Sequence, residues 1–116
     1  MGWFTHQQPL VLNGRSTLLF FTIFRGCECQ MKVVHNAETQ LTAGEFPVNL
    51  GLAIIRLDFN RRPDLAKQYG VARAPALVLL DNLGQVVWKQ DVGLSDESPL
   101  DLATCQAKIE LLGQAP

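Results

Sequence analysis

The 116-residue sequence predicts an α/β fold with a mixed central sheet of about four strands, flanked by helices. Three observations support this prediction. Segments typical of strands and helices follow one another in the order strand, helix, strand, helix, strand, strand, helix. The first three strands are almost continuously apolar, as expected for strands that are covered on both faces. A short turn separates the last two strands, which predicts a hairpin.

The chain is expected to form a single domain over residues 1–116, because this length leaves no room for two hydrophobic cores. A hydrophobic content of 47% and a charged content of 18% argue against a disordered chain. The net charge of −1 provides no drive toward nucleic acid or anionic lipid. The longest apolar stretch, residues 18–24, is too short to span a bilayer. We therefore expect no nucleic-acid partner and no membrane insertion.

The predicted strands of the N-terminal half are set by apolar runs and turns. A short strand is possible at residues 9–12, before a turn at Asn13-Gly14. Residues 17–24 are rich in β-branched and aromatic side chains and predict the first buried strand. Residues 53–59 predict a second buried strand. A strand–helix–strand unit requires these two strands to be parallel, with a right-handed crossover.

The crossover helix is predicted over about residues 28–41. Apolar residues recur there at steps of three and four, which is the pattern of one helix face. These residues are Cys27, Met31, Val34, Ala37 and Leu41. Gly44 and Pro47 break the pattern.

A short second helix is predicted to begin at Pro63, because proline suits the first helical position. Asp64 follows in its first turn, and Gly70 comes just past its end. Residues 76–80 and 85–91 are the strands of the hairpin, with a turn at 81–84.

The last helix is predicted over about residues 99–112, where Ser98, Pro99 and Asp101 indicate its start. Its inner face carries Leu102, Cys105, Ile109 and Leu112. Cys105 is therefore interpreted as a small buried hydrophobic residue.

Two segments resemble the thioredoxin-like superfamily. Residues 63–71 and 74–81 are similar to the family segment that runs through its cis-proline loop, and residues 18–31 are similar to the strand and helix that carry its cysteines. The resemblance implies a thioredoxin-like fold with a shortened N-terminal region, because only about sixteen residues precede the first core strand. It also implies a cis peptide bond between Ala74 and Pro75, opposite the cysteines.

The active site of this family usually has two cysteines separated by two residues, whereas this chain has Cys27-Glu28-Cys29. Two alignments remain open. Either Cys27 takes the position of the first cysteine, or Cys29 takes that of the second and Gly26 that of the first. The tryptophan that commonly precedes the motif and the buried carboxylate of the preceding strand are both absent. An ordinary thioredoxin-type reductase is therefore not implied.

Cys27 and Cys29 are the predicted catalytic residues. A thiol reacts as its thiolate, which the N-terminus of a helix favours. Arg25 would act in the same direction and Glu28 against it. A disulfide between cysteines one residue apart is strained, so it is more easily reduced and more oxidising. The hypothesis is a thiol–disulfide oxidoreductase or isomerase in which Cys27 attacks and Cys29 resolves.

The predicted substrate-binding residues are Ala74, Pro75, Arg25 and Gly26. The main chain at Ala74 would pair with an extended peptide by strand addition. The expected partners are protein or small-molecule thiols and disulfides, and no cofactor is required. Three further arginines, Arg61, Arg62 and Arg73, are either solvated surface or guides for an acidic partner.

Two alternatives come from other functional classes. One is a non-catalytic thioredoxin-fold module that binds partners in the groove at Pro75. The other is a metal-binding chaperone that holds a soft metal ion with Cys27, Cys29 and His35, although a structural zinc site requires four ligands. No metal is expected. The expected location is the cytoplasm, because no signal peptide is visible, and it becomes the periplasm if one was removed.

Overall fold

The computed structural model describes residues 16–43 and 52–114, which contain seven elements in the predicted order. They are β1 Thr17–Thr22, α1 Glu28–Ala43, β2 Ala53–Asp58, α2 Pro63–Gln68, β3 Ala76–Leu80, β4 Val86–Gln90 and α3 Leu102–Gln114. The strand predicted at 9–12, the turn at Asn13-Gly14 and the proposed shortening of the N-terminal region lie outside the described residues. Within the described ranges, no helix has the length and apolarity that a membrane span needs.

The four described strands form one mixed sheet in the order β2-β1-β3-β4. β1 runs parallel to β2, with Thr17 opposite Ala53 and Thr22 opposite Asp58. β3 is antiparallel to both β1 and β4. The mixed sheet and the hairpin are therefore confirmed.

Both faces of this sheet are covered, which explains why its inner strands do not alternate between apolar and polar residues. Leu18 and Phe20 of β1 pack in one cluster with residues of α1 and α3. Leu19 and Phe21 pack in a second cluster with residues of α2. All four side chains are fully buried, and burying a side chain of this kind stabilises a fold by about 1.5–3 kcal/mol.

β1 ends at Thr22, two residues before the predicted end of the strand. Its partner β2 ends at Asp58, directly opposite Thr22, so no neighbour remains for a longer strand. The chain turns after both strands, and Phe24 is 58% exposed. The carboxyl ends of β1 and β2 therefore meet at an open edge of the sheet.

α3 begins at Leu102, three residues later than predicted, and ends at Gln114. Asp101 caps it, since its Oδ1 accepts a hydrogen bond of 3.1 Å from the Thr104 amide. Pro99 cannot belong to the helix because its carbonyl already accepts bonds from the Leu94 amide at 3.1 Å and from Nε2 of Gln90 at 2.9 Å. The prediction of the last helix was correct in kind and wrong in its start.

Three carboxamide side chains hold residues 91–101, which connect β4 to α3. Asn36 donates to the Asp96 carbonyl at 2.9 Å. Gln40 donates to the Leu100 carbonyl at 3.1 Å and accepts from the Leu100 amide at 2.8 Å. Gln90 also accepts from the Asp101 amide at 3.0 Å. This segment is therefore fixed to α1 and β4 by uncharged groups.

α2 begins at Pro63 and ends at Gln68, as the sequence predicts within about one residue. Gly70 follows it with a φ of +68°, a conformation that favours glycine. The Gly70 carbonyl accepts a 2.8 Å hydrogen bond from Nζ of Lys89, which joins the end of α2 to β4.

Candidate functional site

Cys27 occupies the N-cap position of α1, at the point where the chain passes from β1 to the helix. Its carbonyl accepts the first helical hydrogen bond, from the Met31 amide at 2.9 Å. Its own amide donates to Oε1 of Gln30 at 3.3 Å. A glutamine three residues after the N-cap that binds back to it forms one half of a capping box. The start of the helix is thus fixed at Cys27.

Gly26 leaves the space that this cap requires. A Cβ atom at position 26 would lie 2.6 Å from Oε1 of Gln30 and 3.3 Å from Cγ2 of Ile23. Any other residue would therefore push the Gln30 side chain away from the Cys27 amide. This explains the glycine before the cysteine motif, while a role of Gly26 in binding substrate stays a prediction.

Both cysteines of the motif are exposed and carry free thiols. Cys29 is the second residue of α1. Successive helical residues are turned by about 100°, so side chains two positions apart do not face each other. A direct disulfide between Cys27 and Cys29 therefore requires the first turn of α1 to rearrange.

Cys29 lies on an open groove along α1, with a volume of about 670 Å³. The other described residues that line it are Glu28, Met31, Lys32, His35 and Asn36. The predicted metal alternative needs Cys27, Cys29 and His35 together, but Cys27 is not among these residues. Within residues 16–43 and 52–114, no three His, Cys, Asp or Glu side chains are grouped so as to hold a metal ion. The three-ligand set is therefore not assembled.

The loop before β3 lines a second cavity, of about 340 Å³. The Ala74–Pro75 peptide bond is cis, the isomer that the family resemblance implies, and both residues are half-buried. Val92 and Leu94, two exposed apolar residues, lie on the same cavity. From α1 it is lined by Val33.

Arg25 lies in a different cavity from Ala74 and Pro75. This cavity measures about 320 Å³ and is lined by Phe24, Arg25, Asp58, Asn60 and Arg61. Neither of these two cavities, as the described residues form them, contains all four predicted substrate-binding residues. Ala74 and Pro75 lie together, whereas Arg25 lies at the carboxyl ends of β1 and β2.

The neighbouring Arg62 is engaged elsewhere. Its Nη2 lies 3.1 Å from Oδ2 of Asp64, and both side chains are exposed. The hydrogen bond between them raises the pKa of Arg62 and lowers the pKa of Asp64. Of Arg61, Arg62 and Arg73, Arg62 is thus part of a surface ion pair.

Cys105 is a fully buried residue of α3, and its interpretation as a small core residue is confirmed. Burial raises the pKa of its thiol to about 12, and the nearby Asp101 carboxylate acts in the same direction. A thiol of this kind stays neutral and does not act as a nucleophile at neutral pH.

Comparison with known proteins supports the fold. Neither the known family models nor the curated proteins match this sequence. Among solved structures, a mutant thioredoxin from Halobacterium salinarum matches with a TM-score of 0.55 and 22% identity, over 95% of each chain. Thioredoxin-2 of the malaria parasite matches with a TM-score of 0.57 and 16% identity, over 89% of this chain and 93% of its own.

A third solved structure, the thioredoxin of Trichomonas vaginalis, matches with a TM-score of 0.53 and 18% identity, over 83% of this chain and 78% of its own. Identities at this level show the fold alone. The protein has a thioredoxin-like α/β fold, a mixed four-stranded sheet flanked by three helices within the described residues. Its cysteine motif is the C-x-C sequence of Cys27 and Cys29 at the start of α1.

Two features of this region were not predicted from the sequence. The capping role of Gln30 was visible as a glutamine three residues after the predicted start of the helix. The cavity of Phe24, Asp58 and Asn60 was less visible, because its residues come from two segments. It follows from the predicted parallel strands, whose carboxyl ends lie at the same edge of a sheet.

Proposed function

We propose that this protein is a thiol–disulfide oxidoreductase or isomerase, with Cys27 as the attacking thiol. The observation that carries the proposal is the position of Cys27, exposed at the N-cap of a 16-residue helix. The free amides and the dipole of a helix N-terminus stabilise an anion at this position. The thioredoxin-like fold supports the proposal, although a fold alone does not decide function.

In the first step, the Cys27 thiolate attacks one sulfur of a disulfide R–S–S–R′. A bond forms between Sγ of Cys27 and that sulfur, and the bond between the two substrate sulfurs breaks. R′–S⁻ leaves with the electron pair and takes a proton from water. The product is a mixed disulfide between Cys27 and R.

Cys29 is the proposed resolving thiol. Its thiolate would attack Sγ of Cys27, releasing R–S⁻ and leaving a Cys27–Cys29 disulfide. Because side chains two positions apart in a helix do not face each other, we expect this step to require the first turn of α1 to open. The bonds that have to break are those from the Met31 amide to the Cys27 carbonyl and from the Cys27 amide to Gln30. An external thiol can resolve the mixed disulfide without opening the turn.

The proposed partners are protein or small-molecule thiols and disulfides. For a peptide substrate, the half-buried Ala74 beside Pro75 supports pairing by strand addition, since it precedes β3 without belonging to it. The exposed Val92 and Leu94 on the same cavity supply apolar surface for a peptide side chain. The expected cytoplasmic location stays a prediction.

Matched serine variants test the proposal. Cys27→Ser should reduce the rate of exchange with a protein disulfide such as that of insulin by at least about a hundredfold, because it removes the nucleophile. Cys29→Ser should keep the first step and accumulate a mixed disulfide, detected by mass spectrometry. Cys105→Val should exchange at the wild-type rate. Equal rates for Cys27→Ser and the wild type would disprove the role of Cys27.

The cavity at Ala74 and Pro75, whose lining contains no cysteine among the described residues, favours one second candidate, a binding module without redox turnover. Such a module would bind partners at the Pro75 cavity whether or not Cys27 is present. The wild type would then show no disulfide exchange above that of Cys27→Ser, and both would bind an extended peptide with equal affinity. Under the leading proposal the two proteins differ in exchange rate.

A further inference from the structure

The cavity formed by Phe24, Arg25, Asp58, Asn60 and Arg61, here called the arginine cavity, lies where the sheet changes the direction of its connections. From the end of β1 the chain leads to α1, which packs on one face of the sheet. From the end of the adjacent parallel strand β2 it leads to α2, which packs on the other face. Two neighbouring strands whose connections leave on opposite faces create a crevice at their carboxyl ends.

The far wall of the arginine cavity is a fixed turn. The Asp58 carbonyl accepts hydrogen bonds from the amides of Arg61 at 3.0 Å and of Arg62 at 2.9 Å. Oδ1 of Asp58 accepts a third bond from the Asn60 amide at 3.1 Å. The backbone that carries Arg61 is therefore held in place, and part of the Asp58 carboxylate is already engaged.

The arginines around this edge divide into two kinds. Arg56 pairs with Glu38 at 2.9 Å, and Arg62 pairs with Asp64 at 3.1 Å. Arg25 and Arg61 form no ion pair or side-chain hydrogen bond with any of the residues described in the structure. The two unpaired guanidinium groups are those that line the cavity, and they outnumber its one carboxylate, Asp58.

Arg25, which lines the arginine cavity, is close to the attacking residue Cys27 along the chain. Arg25 precedes Cys27 by two residues, so their Cα atoms are at most about 7 Å apart. The cavity volume of about 320 Å³ suits a small molecule rather than a folded protein. Guanidinium groups bind carboxylates in a planar, two-bond geometry.

We infer that the arginine cavity binds the carboxylate end of a small disulfide, and so makes low-molecular-weight anionic disulfides preferred substrates of Cys27. This inference rests on the proposed function. The carboxylate binds Arg25 and Arg61, and the exposed ring of Phe24 contacts the chain that joins it to sulfur. Cys27 then attacks the disulfide, forming one S–S bond and breaking another, and the leaving thiolate takes a proton from water.

Three small disulfides of similar length test this inference: the dianion 3,3′-dithiodipropionate, the neutral bis(2-hydroxyethyl) disulfide and the dication cystamine. The rate of mixed-disulfide formation at Cys27 is divided by the rate for a free thiol, which corrects for intrinsic reactivity. We expect the dianion to react about tenfold faster than the neutral compound at low salt, and the dication to react more slowly than both. The preference should shrink toward unity in about 1 M salt, where the screening length falls to about 3 Å.

Arg61→Gln should reduce the preference for the dianion over the neutral disulfide about fivefold. Arg25→Gln should also reduce the ratio of the dianion rate to the neutral rate. Any effect of Arg25 on the reactivity of the Cys27 thiol is common to both rates and cancels in this ratio. Arg62→Gln is the matched control, because it removes the adjacent charge, which belongs to an ion pair outside the cavity. A wild-type protein that treats the dianion and the neutral compound alike overturns the inference and leaves the proposed function intact.

A binding measurement separates the two proposals if no exchange occurs. In Cys27→Ser, titration with 3,3′-dithiodipropionate should shift the side-chain Nε–H signals of Arg25 and Arg61 in NMR spectra, and leave that of Arg62 in place. These shifts would support the cavity as a carboxylate site even without turnover. Their absence, or equal shifts at all three arginines, would overturn it.

Discussion

The thiols at the start of α1 and the thiol of α3 show how position along the sheet decides the chemistry of a cysteine. Cys27 and Cys29 are exposed, because α1 begins beyond the end of β1. Cys105 is fully buried, because its part of α3 packs against the sheet with residues such as Phe20 and Leu79. The same side chain is thus available for reaction at one place and serves as core at the other.

The largest expected difference between the two regions is in the rate at which their cysteines are alkylated. With iodoacetamide under native conditions, Cys27 and Cys29 should react about a thousandfold faster than Cys105, or more. Reaction at Cys105 requires the core to open, and native domains resist unfolding by about 5–15 kcal/mol. Peptide mass spectrometry measures each site. Labelling of Cys105 within tenfold of Cys27 would contradict the buried position.

The second difference appears at alkaline pH. Burial raises the pKa of Cys105 to about 12 from an ordinary value of 9.0, so the unfolded chain loses this proton before the folded one does. The free energy of unfolding should therefore be unaffected by this thiol below pH 9.0 and fall between pH 9.0 and about 12. The slope from this one group is at most about 1.4 kcal/mol per pH unit.

Urea unfolding across this pH range measures the slope, and Cys105→Val provides the comparison. Valine keeps an apolar side chain of similar size at this position and has no proton to lose. The variant should be less sensitive to pH than the wild type between pH 9.0 and about 12. Equal slopes for the two proteins would mean that Cys105 ionises as easily in the folded chain as in the unfolded one.

The smallest expected effect concerns how the helix start places Cys27. Gln30→Ala removes the acceptor of the Cys27 amide and should lower the free energy of unfolding by about 0.5–1 kcal/mol. Gln30→Glu should retain most of this stability, since glutamate also serves in a capping box. Gln106→Ala, at an exposed position in α3, should change stability by less than about 0.5 kcal/mol. Urea titrations measure the free energy of unfolding of each variant. An equal loss of stability in Gln30→Ala and Gln106→Ala would argue against the cap.

The apolar strands and the helix signals were enough to predict the order of the elements and the mixed sheet. Residues 76–80 are β3 as predicted, because a short apolar run bounded by a proline and a turn is typical of a buried strand. Boundaries that depend on tertiary partners were less predictable. β1 stops where β2 stops, and the start of α3 depends on Gln90, which lies on another element.

The candidate site was predictable only where it is local in sequence. The placement of Cys27 at a strand-to-helix junction follows from the pattern around it. The grouping of Arg25 with Arg61 does not, because it depends on which two strands are neighbours and on which face each connection leaves. The sequence also does not show whether Arg61 or Arg62 is available to bind a ligand. The structure shows it, because Asp64 forms an ion pair with Arg62.

The amide side chains that fasten residues 91–101 have a consequence for experiments in different buffers. Asn36, Gln40 and Gln90 carry no charge and do not titrate, so neither acid nor added electrolyte loosens their bonds to the main chain. Residues 91–101 should therefore keep the same conformation at low and at high salt concentration. An exchange rate that varies with ionic strength would then point to charged side chains such as Arg25 and Arg61, and not to a change in residues 91–101.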